Sequence, residues 1–420
     1  MNKPISTINR ILTALYCLGF LAFLSIPVLQ MQFDLIPVKP MEEFRKLATF
    51  PIITLSRVQN DYRGVVKKYE AWLDDNFGLR NILIRIKNQI DYSLFSVTEN
   101  VRVGKNGQLF LKLYLKTTVY NASIGVTPDF QKNNAEWLKL DRGLKKKGIR
   151  LVVLEVPLPH TIYPELLPAA APKPPKILRM HHFRDFLKAN DVLYVDIEEI
   201  LRANKDKPLY PKADIHWSDI GACYGARELV NTFAKVEFGL KNLWSHEFQF
   251  TGYGPLNFRG PATRFMPLLL DVGQRLPQIN KNWQLEVGKI KRKKDGIQRL
   301  PDGEETVIYE KSLGSVGYWR RSKDNPFDKG YISQETAFPL IPTTVSVNDS
   351  FFIMMETCGL QRYFKKLLTG RTIEKDITGV NAALRHLPKD TKYFIMEFHE
   401  NRANTVLQTG SLKFPENWPK

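Results

Sequence analysis

Hydrophobic residues recur along the chain at two different spacings, and the two spacings alternate. Apolar positions at helical intervals occupy residues 60–95, with a break near Gly78, and return in the segment that ends at Gly148. The run "IRLVVLEVPLP" that follows is almost continuously apolar and rich in β-branched residues, which is typical of a central parallel strand. Another helical pattern, "MHHFRDFLKAND", precedes the strand-like "VLYVDI". This alternation predicts an α/β fold built on a layered sheet.

Shorter patterns between these elements predict a hairpin, an insertion and two further strands. The stretch "VRVGKNGQLFL" predicts a hairpin in which Asn106-Gly107 forms a turn of the primed type. Between residues 243 and 342 the helical periodicity fades, and short strand-like pieces stand between glycine and proline turns. We interpret this region as an insertion of strands and loops that folds over the sheet. The segments "TTVSVNDSFF" and "KYFIMEFHENR" then return to a strand followed by a helix and to a late strand that ends in polar residues.

The N-terminal segment carries no charge from Ile11 to Phe33. About 20 apolar residues suffice to cross the hydrocarbon core of a bilayer. The basic flank with Lys3 and Arg10 favours a cytoplasmic N-terminus, which would place the rest of the chain outside the cytoplasm. Because no A-x-A-like site follows the apolar run, we interpret residues 1–33 as an uncleaved anchor, with a cleaved signal peptide as the alternative.

The composition of the chain indicates which classes of partner it favours. The formal net charge of +18 favours an anionic partner, namely an acidic polysaccharide, an anionic membrane surface or a nucleic acid. Export argues against nucleic acid. Cys17 lies in the apolar segment, whereas Cys223 and Cys358 are free to pair in an oxidising compartment, although a single pair does not decide this. The sequence has no C-x-x-C or H-E-x-x-H pattern, so it supports neither a metal site nor a cofactor.

Reactive side chains occur at two places where a strand or loop leads into a helix. Asp214 and His216 lie two residues apart in "LYPKADIHWSDIGA", and Ser350 follows the strand "TTVSV". A serine nucleophile needs a base within hydrogen-bond reach and a partner that orients the base, which His216 and Asp214 can supply. The same residues also fit structural roles, because Ser350 is a good helix N-cap, as is Asp349. The residue pattern by itself leaves both interpretations open.

Four of these stretches together resemble the AlgX/AlgJ-type alginate O-acetyltransferases, a family of bacterial cell-envelope proteins with an SGNH hydrolase-like domain. The stretches are "YEAWLDDNFGLRNILIRIKN", "VRVGKNGQLFL", "VPLPHTIYPELLP" and "LYPKADIHWSDIGA", of which the last is the most specific. The resemblance implies an SGNH-like three-layer α/β sheet with flanking helices, an N-terminal transmembrane helix and a β-rich insertion. The implied organisation is an anchor or signal at 1–33, a helical connector at 34–100, and a catalytic domain at 101–420 with the insertion at about 243–342.

The resemblance also implies an activity and its residues. Ser350 would be the nucleophile, His216 the base and Asp214 the acid of an O-acetyltransferase that acts on an exported polysaccharide through an acetyl-serine intermediate. Asn348, which replaces the glycine of the family's G-D-S-F motif, is a candidate for an oxyanion or substrate contact. The resemblance does not extend to Arg320 and Arg402, which are further candidates for such a contact, with a surface or salt-bridged arginine as the alternative for each. A membrane-bound O-acyltransferase would supply acetyl groups, and the domain would lie in the periplasm on a single-pass inner-membrane anchor. An acetylesterase with the same triad and a non-catalytic carbohydrate-binding scaffold remain alternatives.

Overall fold

The computed structural model divides the chain into two compact units, residues 1–99 with 263–272 and residues 100–262 with 273–420. Each unit is described by itself below. The structure describes residues 7–37, 41, 45–116, 128–171, 174–258, 260, 263, 265–270, 274–281, 287–289, 305–310, 315–320, 327, 329–333, 337–370, 378–402 and 406–419.

The first unit is helical. Its helices are α1 (Thr7–Phe33), α2 (Leu55–Asn60), α3 (Tyr62–Asn76) and α4 (Arg80–Phe95). Within α1, the segment Asn9–Phe33 is long and apolar enough to span a membrane, and its side chains are exposed apart from the half-buried Pro27 and the buried Gln30. The break between α3 and α4 falls at residues 77–79, as the sequence predicts around Gly78. Asn88 on α4 donates its side-chain N–H to the carbonyl of Pro267, 3.1 Å away, which holds Pro267 against this helix.

The second unit contains a hairpin and a large sheet. The hairpin pairs β1 (Val101–Val103) with β2 (Leu109–Leu111), and both Asn106 and Gly107 of its turn have positive φ, as a primed turn requires. The large sheet has a parallel core in the spatial order β4 (Leu193–Val195), β3 (Arg150–Val156), β13 (Tyr393–His399), β11 (Thr344–Val347), β12 (Lys366–Gly370). The apolar run from Arg150 therefore forms a central strand of this core, which confirms the prediction.

Helices cover both faces of this parallel core and bury its alternating side chains. The helices of the unit are α5 (Lys112–Leu115), α6 (Pro128–Lys145), α7 (Pro159–Ile162), α8 (Arg179–Ala189), α9 (Ile197–Ala203), α10 (Asp219–Phe238), α11 (Ser350–Glu356) and α12 (Thr378–Arg385). On β3, Val152 and Leu154 pack on the side of α9, α10 and α11, whereas Leu151 and Val153 pack on the side of α6, α8 and α12. Two hydrophobic cores separated by one sheet make this a three-layer α/β fold.

The insertion is β-rich, as the sequence predicts. Contrary to our expectation, most of its strands do not fold over the sheet but extend it. Four of its strands continue the sheet edge to edge, because β10 pairs antiparallel with β12. Their bounds are β7 (Val287–Lys289), β8 (Glu305–Glu310), β9 (Ser315–Arg320) and β10 (Lys329–Ser333). Pairing with β10 satisfies backbone groups that an exposed edge of β12 would leave open. The remaining two strands, β5 (Phe248–Phe258) and β6 (Gln274–Lys281), form a separate two-stranded sheet.

Candidate active site

The loop that carries Asp214 and His216 is held in place by the residues that follow it. Trp217 is fully buried and donates its indole N–H to the carbonyl of Phe351 on α11, 3.1 Å away. A Cβ at Gly225 would lie 2.8 Å from the ring of Trp217, so only glycine lets α10 approach the indole this closely. Ser218 then caps α10 through its hydroxyl, which accepts the N–H of Gly221. The sequence "HWSDIGACYG" thus anchors the histidine loop between α10 and α11.

Ser350 lies at the carboxyl end of β11, where it opens α11. The N-cap of this helix is Asp349. The Asp349 carboxylate accepts the N–H of Phe351 at 2.9 Å and the N–H of His399 at 3.0 Å, so it ties the serine turn to the end of β13. Burial raises the pKa of Asp349, although both backbone N–H groups oppose this shift. The nucleophile candidate therefore lies on a turn that is fixed from both sides.

The two segments bring three side chains into one hydrogen-bonded chain. Nε2 of His216 lies 2.7 Å from Oγ of Ser350, across 134 residues of sequence. Nδ1 of the same ring lies 2.7 Å from Oδ1 of Asp214, and this oxygen also accepts the backbone N–H of His216 at 2.9 Å. With Nδ1–H directed at the carboxylate, Nε2 is left as the acceptor for the serine hydroxyl. Sequence analysis predicted the three residues, and the structure brings them together.

The three candidates for oxyanion or substrate contacts occupy different places. Asn348 is buried in the turn, where its Nδ2 donates to Oγ of Ser346 at 3.0 Å and its backbone N–H donates to the carbonyl of Gly370. Arg402 follows β13 and donates from Nε to Nε2 of His399 at 3.3 Å. Arg320 ends β9, three strands from β11 in the same sheet, and its side chain lies outside the described residues.

Sequence reasoning missed a group of buried polar residues next to the serine turn. Glu400 accepts hydrogen bonds from Thr161 Oγ1 and from the backbone N–H of Leu158, and its Oε1 lies 3.0 Å from Nε2 of His160. Burial, with the positive charge of Arg402 next, lowers the pKa of His399 to about 3. The polar end of the strand "YFIMEFHENR" is the pattern that could have pointed to this group, because the carboxyl ends of parallel strands meet at one edge.

The buried imidazole of His399 gives an acid-dependent stability. Its folded-state pKa of about 3 lies below the ordinary histidine value of 6.5, so between these pH values the unfolded chain binds a proton that the folded chain does not. We therefore expect the free energy of unfolding to fall as the pH drops below 6.5, by about 2 kcal/mol at pH 5 from this group alone. Urea unfolding at pH 7 and pH 5 measures the loss.

The matched control uses a second histidine. His399→Gln should remove most of this pH-dependent loss, whereas His386→Gln should retain it because His386 is exposed. Equal pH dependence in wild type and His399→Gln would contradict the assignment of the effect to His399.

A disulfide links the two helices that border the site. Cys223 on α10 and Cys358, just after α11, form a bond that closes a loop of 135 residues. The helix α10 follows the Asp214–His216 loop and α11 begins at Ser350, so the bond restrains the two elements whose side chains meet. Sequence analysis left this pairing open, and the structure shows it.

The sequence of the second unit is similar to that of known acetyltransferases. Residues 101–304 match the family model of the SGNH hydrolase-like domain of acetyltransferase AlgX, a segment that contains Asp214 and His216 and ends before Ser350. A probable alginate O-acetylase AlgJ from Pseudomonas aeruginosa is 25% identical over 162 residues, which is 37% of this chain and 38% of the relative. Its counterpart from Pseudomonas fluorescens is 25% identical over 171 residues, 40% of this chain and 42% of the relative. The chain thus spans about two fifths of the length of these relatives.

Two of the solved structures to which this chain is similar come from Pseudomonas putida and Bacillus cereus. The O-acetyltransferase domain of Pseudomonas putida AlgJ superimposes with a TM-score of 0.44 and 15% identity, covering 75% of this chain and 95% of that domain. Bacillus cereus PatB1 with a sulfonyl adduct gives a TM-score of 0.47 and 12% identity, covering 75% of this chain and all of that one.

Proposed function

We propose, from the membership of residues 101–304 in the AlgX/AlgJ family of SGNH hydrolase-like acetyltransferases, that this chain is an O-acetyltransferase that acts on a cell-envelope polysaccharide. One observation carries the proposal: the hydrogen bonds of 2.7 Å from Ser350 to His216 and of 2.7 Å from His216 to Asp214. This arrangement supplies a nucleophile, a base and a group that orients the base.

The chemistry proceeds in two half-reactions. His216 Nε2 takes the proton of Ser350 as Oγ attacks the carbonyl carbon of an acetyl donor. As the tetrahedral intermediate collapses, Nε2 gives this proton to the departing leaving group, and an acetyl-serine and a neutral imidazole remain. A sugar hydroxyl then gives its proton to Nε2 and attacks the acetyl-serine, and Nε2 returns the proton to Oγ of Ser350 as the sugar acetate forms and the serine is released. Asp214 keeps the imidazole in the tautomer that both steps need and stabilises its protonated form.

The backbone N–H of Ser350 is a further functional group in this scheme. It donates a hydrogen bond to no other group in the described part of the chain, so it is available for the oxyanion that develops on the acetyl carbonyl. Asn348 already uses its side-chain amide to brace the turn at Ser346, and we assign it to positioning.

The setting follows from the apolar helix and the basic N-terminus. We propose that α1 anchors the protein in the bacterial inner membrane and that the second unit works in the periplasm. A disulfide within that unit fits an oxidising compartment. Acetyl groups would then come from a membrane-bound O-acyltransferase that carries them across the bilayer, and no cofactor is needed.

A transfer assay tests the proposal. Full-length protein in nanodiscs, given p-nitrophenyl acetate and an oligosaccharide acceptor, should yield acceptor that carries one added acetyl group, seen by mass spectrometry. Neutral and acidic acceptors are tested side by side, and p-nitrophenol release reports the first half-reaction. Release of acetate with no acetylated acceptor in either series would replace the transferase with an esterase. Absence of both products would leave a carbohydrate-binding scaffold.

A further inference from the structure

A cavity of about 900 Å³ lies in the second unit, and none of the three triad residues lines it. Its walls come from the loop 205–212, from the connection between β1 and β2, from Tyr163 and Leu166, and from the two-stranded sheet β5–β6. A space of this volume holds a segment of a sugar chain.

The cavity is basic. Four cationic side chains line it, from Lys205, Lys207, Lys212 and Arg275, against the single carboxylate of Asp206. Lys207 pairs with Asp206, and Lys205 lies 3.4 Å from Glu165. Lys212 and Arg275 are exposed, and neither forms an ion pair with any residue in the described ranges. Two unneutralised cations at one cavity favour an anionic occupant.

Aromatic rings form the other part of the wall. Tyr163 and Tyr210 pack edge to face with ring centroids 6.2 Å apart, and their hydroxyls donate to the backbone carbonyls of Lys207 and Pro157, which fixes both rings. Tyr253 is 53% exposed and packs against Phe250 with centroids 5.3 Å apart. Tyr163 and Tyr210 are buried, so Tyr253 is the ring of this wall whose exposed face suits stacking against the flat apolar face of a pyranose.

The cavity wall is physically continuous with the loop of the active site. The hairpin holds this loop through Leu109, whose N–H donates to the carbonyl of Lys212 at 2.7 Å. Two residues further on, Asp214 donates its backbone N–H to the carbonyl of Pro211 at 3.4 Å. An occupant that contacts Lys212 therefore contacts the segment from which Asp214 and His216 project.

We propose that this cavity is an accessory subsite that binds carboxylate-bearing sugar residues of the acceptor chain, away from the residue being acetylated. The inference rests on the proposed function for the identity of the chain as an acceptor. Lys212 and Arg275 bind the sugar carboxylates, and Tyr253 stacks on a ring. The subsite contributes affinity for the polymer and leaves the acetyl-serine step unchanged.

Calorimetric titration of the full-length protein in nanodiscs tests the subsite. Hexagalacturonate is the acidic probe, and cellohexaose is the neutral probe of equal length. We expect hexagalacturonate to bind more tightly, with an affinity that falls as salt rises because screening weakens the charge pairs. Lys212→Ala/Arg275→Ala should weaken its binding at least about tenfold, the size expected for loss of charge-assisted hydrogen bonds. Lys235→Ala/Lys241→Ala removes the same charge from exposed sites outside the cavity and should bind as wild type.

Two further observations separate the subsite from the active site. Ser350→Ala should bind hexagalacturonate as tightly as wild type, because Ser350 does not line the cavity. Equal binding of the two probes, or equal weakening by the two double variants, would overturn the subsite. Wild type that binds hexagalacturonate through the cavity but acetylates no acceptor would instead overturn the proposed function.

Discussion

Ser350→Ala is expected to lower acetyl transfer at least about 10³-fold, because the variant has no oxygen to form the acetyl-enzyme. His216→Ala should cause a loss of similar size, since no other base lies within hydrogen-bond distance of Ser350 in the described part of the chain. The double variant should be little worse than either single variant, because the two side chains act as one unit. Acetylated acceptor measured by mass spectrometry gives the transfer rate.

The fold of these variants can be checked independently. Ser350 and His216 are partly exposed, so their truncation should leave the urea midpoint close to that of wild type. Ser93→Ala, on an exposed position of α4, serves as the matched serine control and should acetylate at the wild-type rate. Transfer by Ser350→Ala within tenfold of wild type would show that the hydrogen-bonded chain is structural.

Local sequence pattern was sufficient for the elements that carry the candidate site. The run from Arg150 to Val156 is buried almost throughout, and only a central strand buries consecutive residues on opposite faces. The loop before α10 was also predictable, because its polar residues precede a long helical pattern. The meeting of His216 with Ser350 was expected from the family resemblance, since the residue pattern by itself left both a catalytic and a capping role open.

Spatial order could not be predicted in the same way. The strand β13 is the last in the chain, yet it lies between β3 and β11 in the sheet. Periodicity identifies a strand but carries no information on its neighbours. The role of Asp349 was hidden for the same reason, because its carboxylate spans from its own helix to the backbone of His399, which is 50 residues away in sequence. The insertion likewise extends the sheet only because one edge of β12 is not paired with another strand of the parallel core, and the sequence does not show this.

The second large effect concerns the disulfide between Cys223 and Cys358. Since the bond closes a loop of 135 residues, its loss should lower the free energy of unfolding by about 2–5 kcal/mol, mainly by freeing the unfolded chain. Urea unfolding of the oxidised and the reduced protein measures this difference in the free energy of unfolding without any substitution. Cys223→Ala/Cys358→Ala should show at least the same loss, with an added cost because both side chains are fully buried.

Reduction should also slow acetyl transfer, since the bond joins the helices that begin beside His216 and at Ser350 and so restrains a contact of 2.7 Å. Cys17→Ala removes the exposed free cysteine and should change neither stability nor rate, which separates the bond from general thiol effects. Identical unfolding of oxidised and reduced protein would contradict the prediction. Structural disulfides persist mainly outside the reducing cytoplasm. Finding this bond in protein from native cells would therefore independently support export of the second unit. The basic flank of α1 predicts the same location, outside the cytoplasm.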